Sequence, residues 1–252
     1  MASKKKASKK KASKKGLAVK DQKTGMATVD EQMAADAAAI ADKIGAAETN
    51  KIRTGEKTFT MPDGFQTADP IELVVIGFTS MNKFYDVPYN EDNPTPPACF
   101  AIGDNPKQLV PSKNSPAAES KACEGCPNNE FGSAGAGKAC KNSRLLIVMQ
   151  PNADPEEGEL MTLEVSPTAL KAYDGYVASI AKQYNAPPVK VITLVGMNET
   201  KKHTCLTFQF SAPNPDYAAH YGRKAEAQAM LEAEPDVSGY EKPKPARRGR
   251  GR

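Results

Sequence analysis

From Asn90 to Lys138 the chain is crowded with Pro, Gly, Asn and Ser and has little apolar periodicity. A structureless stretch of that length is uncommon inside a compact domain unless something other than a core orders it. Cysteines mark this stretch: Cys99 near its start, Cys123-Glu-Gly-Cys126 near its end, and Cys140 just beyond. A C-x2-C pair lets two thiolates reach one ion while the turn between them aims N–H groups at the sulfurs. Four thiolates complete the closed tetrahedral shell of a structural zinc. Metal-folded lobes draw roughly 10–16 kcal/mol from the ion. The spacing therefore predicts a structural zinc on Cys99, Cys123, Cys126 and Cys140. Two alternatives stay open: a four-cysteine iron–sulfur cluster, and a fourth ligand from the His203-x-Cys205 pair in place of Cys99. Cys205 otherwise reads as a small buried strand residue.

Charge separates the ends of the chain from its middle. The first 20 residues hold nine lysines and no acid, and Lys242 to Arg252 hold six basic residues and no acid. This leaves 19 basic against 30 acidic residues between them, so the net +4 conceals an acidic body with two basic arms. Blocks of like charge repel themselves and are expected to be disordered interaction tails. A polyanion is their natural partner, because each neutralised phosphate releases a condensed counterion. No stretch approaches the ~18 apolar residues of a membrane span, and the N-terminal lysines lack the apolar segment of a secretory signal. A reducing, cytoplasmic setting is expected (the host cytoplasm if the chain is viral), where clustered cysteines serve as ligands rather than disulfides.

Five segments are expected along the chain: a disordered Lys-rich tail (1–27), an amphipathic helix and linker (28–57), a domain (58–212), a C-terminal helix (213–235) and a disordered Arg/Gly-rich tail (236–252). The first helix rests on Val29, Met33, Ala37, Ile40 and Ile44 at helical spacing. In the domain, Ile71–Thr79 is a β-branched run introduced by Asp69-Pro70, which Lys83–Tyr89 continues or pairs with. The continuous apolar run Arg144–Met149 predicts a strand covered on both faces, and Leu160–Val165 a further strand. Ser166 as N-cap and Pro167 at the first helical position open a helix with the stripe Leu170, Tyr173, Val177, Ile180 and Tyr184. Pro187-Pro188 end it. Val189–Val195 and His203–Phe210 then read as a hairpin turning through Asn198–Lys202, and a second Ala-rich helix runs from about Pro215 to Ala233. This is an α+β, mainly β order: strands, a cysteine-rich insertion at about 90–143, two strands, a helix and a last hairpin. It matches the small oligonucleotide/oligosaccharide-binding (OB) barrel, which carries a helix between its third and fourth strands.

Gly132-Ser-Ala-Gly-Ala-Gly137-Lys138 imitates the start of a phosphate-binding loop, but Ala139 replaces the magnesium-holding Ser/Thr and no apolar strand precedes it. With two histidines and no recognisable nucleophile or carboxylate frame, no enzyme activity is expected. From Pro97 to Val148 the chain resembles a group of bacteriophage proteins. The resemblance is carried by Pro97-Ala-Cys99, Cys123-Glu-Gly-Cys126-Pro127-Asn128, Phe131-Gly132-Ser133 and Gly137-Lys138-Ala139-Cys140 followed by Arg144-Leu145. It covers about a fifth of the chain. It implies a metal-binding insertion in a β-rich domain that binds single-stranded DNA in phage replication or recombination. The basic Arg247-Arg248-Gly-Arg250-Gly-Arg252 end departs from the acidic tail of ordinary single-strand binders.

A single-strand site needs cations for phosphates and aromatic platforms for bases. The candidates are Phe84 and Tyr85 for stacking, with Phe78 equally readable as core. Lys83, Lys141, Arg144, Lys201 and Lys202 are the phosphate partners, although loop lysines such as Lys201 and Lys202 are commonly just solvated. Arg247, Arg248 and Arg250 would extend the contact to RNA or duplex through an RGG-like arm. The alternatives are a non-specific packaging or virion protein working through its arms, and a zinc-stabilised scaffold contacting another replication or virion protein.

Overall fold

The computed structural model describes residues 50–88 and 95–242, together with Val29, Gln32 and Met33. The chain divides into two units, Met1–Glu48 and Thr49–Arg252. In the first, Val29, Gln32 and Met33 are helical, and Val29 and Met33 are exposed. The rest of the predicted helix, the lysine repeat and Arg247, Arg248 and Arg250 lie outside the described residues.

The second unit is mainly β, with a strongly curled half-barrel sheet. Its strands are β1 (Lys51–Gly55), β2 (Thr58–Thr60), β3 (Gln66–Thr67), β4 (Ile71–Phe84), β5 (Cys99–Gly103), β6 (Lys141–Met149), β7 (Met161–Val165), β8 (Val191–Met197) and β9 (Leu206–Pro213). Helix α1 (Leu170–Tyr184) joins β7 to β8, while α2 (Tyr217–Gly222) and α3 (Lys224–Leu231) follow β9. The sheet order is β3-β2-β1-β7-β6-β4-β8-β9. The 14-residue β4 organises it: one edge pairs with β6, the other with β8 at its start and with β5 at its end. A register shift between Val75 and Gly77 bends this strand.

Period-two alternation sends β4 and β6 into two cores. Leu73, Val75, Leu146 and Val148 join Ile52, Phe59, Leu163 and Val165 on the inner face. There α1 closes the curl with Tyr173 and Ile180, and Tyr173 meets Phe78 and Phe208 edge-on at 5.4 and 5.0 Å. Val74, Ile76, Ile147 and Met149 face outward beneath Ala227 and Leu231 of α3. A Cβ on Gly77 would stand 3.2 Å from Leu231 Cδ1, so the glycine lets α3 approach the bend. The continuous apolar run at Arg144–Met149 is thus covered on both faces, as predicted.

Several boundaries differ from the sequence reading. β1 lies in the stretch read as linker: it forms a hairpin with β2 through Glu56-Lys57, both at positive φ, and on its other edge pairs in parallel with a strand more than 100 residues away, Lys51 opposite Thr162 and Ile52 opposite Leu163. The helix predicted from Pro167 begins at Leu170. Ser166 to Ala169 close a turn through Ala169 N–H to Ser166 C=O, and Ala169, not Ser166, is the N-cap. Asn185 in left-handed conformation (φ 48°) ends it ahead of Pro187-Pro188. His203 is exposed in the turn before β9, which starts at Leu206. The single C-terminal helix is two, separated at Gly222-Arg223. No helix among the described residues is long and apolar enough to cross a membrane.

Candidate nucleic-acid groove and the cysteine cavity

Alternation at the end of β4 presents different chemistry to each side. Asn82 and Phe84 line a cavity with the cysteines, whereas Lys83 and Tyr85 line an open groove on the other side.

In the cavity, Cys99 opens β5 directly opposite Phe84. Cys123 and Cys126 sit on a tight turn in which Gly125 takes φ +73°, and Asn129 N–H donates to Cys126 C=O at 2.8 Å. Cys140 N–H donates to Asn128 C=O at 2.7 Å just before β6. All four cysteines border one cavity of about 20 Å³, close to the space of a single water. Burial pushes the Cys140 thiol up to about 12, reinforced by Cys123, Cys99 and Cys126 and opposed by Lys138. Burial also raises Cys123, against a hydrogen bond with Asn82. Cys123 and Cys140 are therefore neutral thiols at pH 7.

The predicted zinc on Cys99, Cys123, Cys126 and Cys140 is overturned by this geometry. Among the described residues no group of three or more His, Cys, Asp or Glu side chains is placed to hold a metal ion. The sulfurs share a cavity wall without forming a ligand shell, and all five cysteines are free. The iron–sulfur alternative falls with the zinc. The His203-x-Cys205 alternative falls too, since Cys205 is buried in the main core with its Sγ 3.7 Å from Thr168 C=O. The prediction assumed that a coreless segment needs an ion to order it. Backbone bonds do much of that work instead: Ser112 N–H to Phe100 C=O, Ala117 N–H to Ala98 C=O and Cys123 N–H to Leu109 C=O, at 2.8, 2.7 and 2.9 Å. Ala101, Leu109 and Cys123 add a small core.

The groove is built across four neighbouring strands. Lys83 of β4 and Lys141 of β6 stand directly opposite each other, so both side chains leave the sheet on the same face. Lys51 and Arg53 of β1, Glu164 of β7 and Tyr85 after β4 also line this groove of about 440 Å³, with Ile52, Thr54, Ser166 and Pro167. Like charges directly opposite in a sheet repel. Lys83 answers by pairing with Glu164 at 2.8 Å, and Lys141 donates to Lys138 C=O at 3.3 Å. Burial raises the Glu164 carboxyl, but the Lys83 ammonium, a Ser143 hydrogen bond and nearby Lys51 outweigh it and hold the group below the ordinary carboxylate value. Glu164 is thus ionised at neutral pH, and four cations face one carboxylate in a body whose overall charge is negative.

Lys83, Tyr85 and Lys141 are accordingly brought together as candidate nucleic-acid contacts, and the other described candidates lie elsewhere. Phe84 belongs to the cysteine cavity, and Phe78 packs against the main core. Arg144 is buried and pairs with Asp174 at 3.1 Å. Lys201 and Lys202 are exposed in the β8–β9 turn, outside the groove. Sequence reasoning missed Lys51, Arg53 and Glu164. The alternation Lys51-Ile52-Arg53 was a usable sign of a strand, with Ile52 inward and the cations outward. No protein-family model, curated protein or solved structure matches the chain. Fold and groove together define the class: a curled β-sheet protein with a cationic, aromatic-edged groove on its outer face.

Proposed function

We propose that this chain binds single-stranded nucleic acid, with single-stranded DNA as its first substrate, along the groove formed by β1, β7, β6 and β4. The facing pair Lys83–Lys141, joined by Lys51 and Arg53, carries the reading. Neighbouring cations of this kind are relieved by an anion with repeated charges, and a phosphate backbone supplies one. Tyr85 at the groove edge offers a ring on which a base stacks, an interaction worth about 1–3 kcal/mol per base.

The architecture supports an OB-like description. Leaving aside β1–β3 and β5, the strand order is β7-β6-β4-β8-β9, or third, second, first, fourth, fifth in chain order, with α1 between the third and fourth. In OB barrels the face of the second and third strands and the adjoining loops take oligonucleotides. Here those strands are β6 and β7, which contribute Lys141 and Glu164, and Tyr85 begins the connection leaving β4. The resemblance of the cysteine segment to phage proteins adds a replication or recombination setting to the proposal. The reading is of a binding protein and assigns no catalytic step.

The test compares single-stranded and duplex oligonucleotides of one sequence over a salt titration, with the wild-type chain and with K83Q/K141Q. The expected result is salt-sensitive binding that prefers the single strand and weakens at least tenfold in the double variant. Equal affinity for duplex, or binding indifferent to both lysines, would assign any nucleic-acid contact to the basic arms and overturn the groove reading.

A further inference from the structure

The pairing of β4 is interrupted along one edge. On that edge β8 pairs with Ile71, Glu72 and Leu73, and β5 pairs with the stretch from Ser80 to Phe84. Among the described residues no strand pairs with residues 74–79 on that side, although β6 runs along the opposite edge. Six residues of strand span about 20 Å, the length of an ordinary strand. Alternate residues turn their main-chain N–H and C=O groups toward the gap. An unpaired edge of this kind is a template for a further strand.

The gap is open to a ligand. A cavity of about 330 Å³ lies against residues 75–78, and Gly77 and Phe78 are half-buried between buried neighbours. Pro187 and Pro188 line this cavity ahead of β8. Neither has an N–H, and their carbonyls already accept from Lys190 N–H at 3.1 Å and from Val191 N–H. These two prolines therefore do not pair with the edge. Asp104, which follows β5 directly, and Gln228 of α3 border both this cavity and a second one of about 630 Å³ beside Thr79. Helix α3 carries Lys224 at the first cavity and leads to Glu232 at the second. The second also holds Asp104 and Glu234, so its three carboxylates face one cation, Lys113. Both β5 and β8 run antiparallel to β4. A strand of the same sense in the gap continues the line from the end of β5 to the start of β8. Its N-terminal end then lies by the carboxylates, and its C-terminal end lies toward Lys224.

We propose that residues 74–79 of β4 take up an extended peptide segment of a partner protein as an added antiparallel strand. The segment has a basic residue at its N-terminal end, an apolar centre and an acidic residue at its C-terminal end. Main-chain hydrogen bonds to the open edge give the affinity, as in other strand additions, and the charges at the two ends set direction and register. The surface lies away from the cationic groove, so it adds a protein contact and stands whether or not the groove binds nucleic acid.

The experiment titrates the full chain with the peptide acetyl-Lys-Val-Thr-Val-Thr-Glu-amide up to about 1 mM, the weak end of the affinity scale. Amide hydrogen exchange is followed residue by residue by NMR. In the free protein the gap-facing amides of residues 74–79 are expected to exchange about tenfold faster than the β6 amides that pair with β4. Peptide is expected to slow them by about tenfold or more. The same peptide N-methylated on the amides that face β4 is expected to bind about tenfold more weakly, because it has lost its donors. Asp104 and Glu232 are exposed, so D104K/E232K keeps the fold. This variant is expected to bind the peptide several-fold more weakly and to recover when the first lysine of the peptide is replaced by glutamate. No protection at the highest peptide concentration would overturn the proposal. So would equal binding of the N-methylated peptide, or indifference to D104K/E232K. Protection of the same amides by oligo-dT would assign the edge to nucleic acid instead, and protection that rises with protein concentration alone would assign it to a second copy of the chain. Each of these also removes the proposal, and none depends on K83Q/K141Q, which tests the groove.

Discussion

Asn82 and Phe84 face a small cavity bordered by thiols, whereas Lys83 and Tyr85 face an open groove of cations. The two sites share one strand end and differ by a single step of the pleat. In the cavity, like groups gather from three separate segments, and burial keeps Cys123 and Cys140 protonated. In the groove, like charges gather from β1, β4 and β6, and the ionised Glu164 carboxylate pairs with Lys83 at 2.8 Å. Proximity alone does not make a site. Burial favours the neutral form of the Cys123 and Cys140 thiols, while the facing lysines Lys83 and Lys141 carry the proposal of a polyanion partner.

The comparison breaks most readily on the groove side. K51Q/R53Q/K83Q/K141Q is expected to weaken single-stranded DNA binding on the order of 10³-fold and lower the salt slope by about 3. Fluorescence anisotropy at several salt concentrations measures both, with circular dichroism confirming the fold. A loss below tenfold would place the binding elsewhere. Y85A is expected to cost about 1–3 kcal/mol per stacked base, a loss of about 5-fold to 160-fold with the salt slope unchanged. A change in slope instead would mean that Tyr85 orders the lysines rather than stacking.

Smaller effects sharpen the contrast. E164Q removes the groove's one carboxylate and is expected to tighten binding by about twofold to fivefold, raising the salt slope by less than 1. It also tests a pH dependence. The folded Glu164 carboxyl lies below its ordinary value of 4.5. Its pairing with Lys83 therefore stabilises the fold above 4.5, and that contribution is lost as pH falls through the lower folded value. Thermal melts between pH 3 and 6 should show a shallower acid-side decline in E164Q than in wild type.

On the cavity side, C140A is expected to cost about 1 kcal/mol of stability through lost packing, with DNA affinity unchanged within about twofold. The described geometry also predicts that a strong chelator leaves the melting midpoint where it was. A fall of several degrees on chelation would show that the sulfurs close on an ion after all.

The strongest signals in the sequence were periodic ones. The stripe from Leu170 to Tyr184 marked α1, and the unbroken run at Arg144–Met149 marked a strand with two covered faces, as the two cores on β6 show. Signals at the edges of elements were weaker. Ser166-Pro167 has the look of a helix start, yet the chain spends those residues on a turn and begins α1 at Leu170. Lys51–Gly55 was hidden because its hairpin with β2 turns through Glu56-Lys57, both at positive φ, in place of the usual Asn-Gly or Gly mark, and its other pairing, with β7, is parallel and remote. The candidate site was half legible: Lys83, Tyr85 and Lys141 stood out by type, while the phase of the pleat, which turns Phe84 to the cysteine cavity and Tyr85 to the groove, was not readable.

Residue types and their alternation, which are local properties of the chain, determined the strands, the main helix and the charge contrast between body and arms. The tertiary structure decided which residues meet. Pairing register places Lys83 against Lys141, and the curl of the sheet brings β1 beside β7. Both depend on contacts between segments some 60 to 110 residues apart, which no local pattern encodes. The same long-range packing set four cysteines around one cavity without making them a ligand shell, because spacing along a chain bounds the distances between sulfurs but does not fix them.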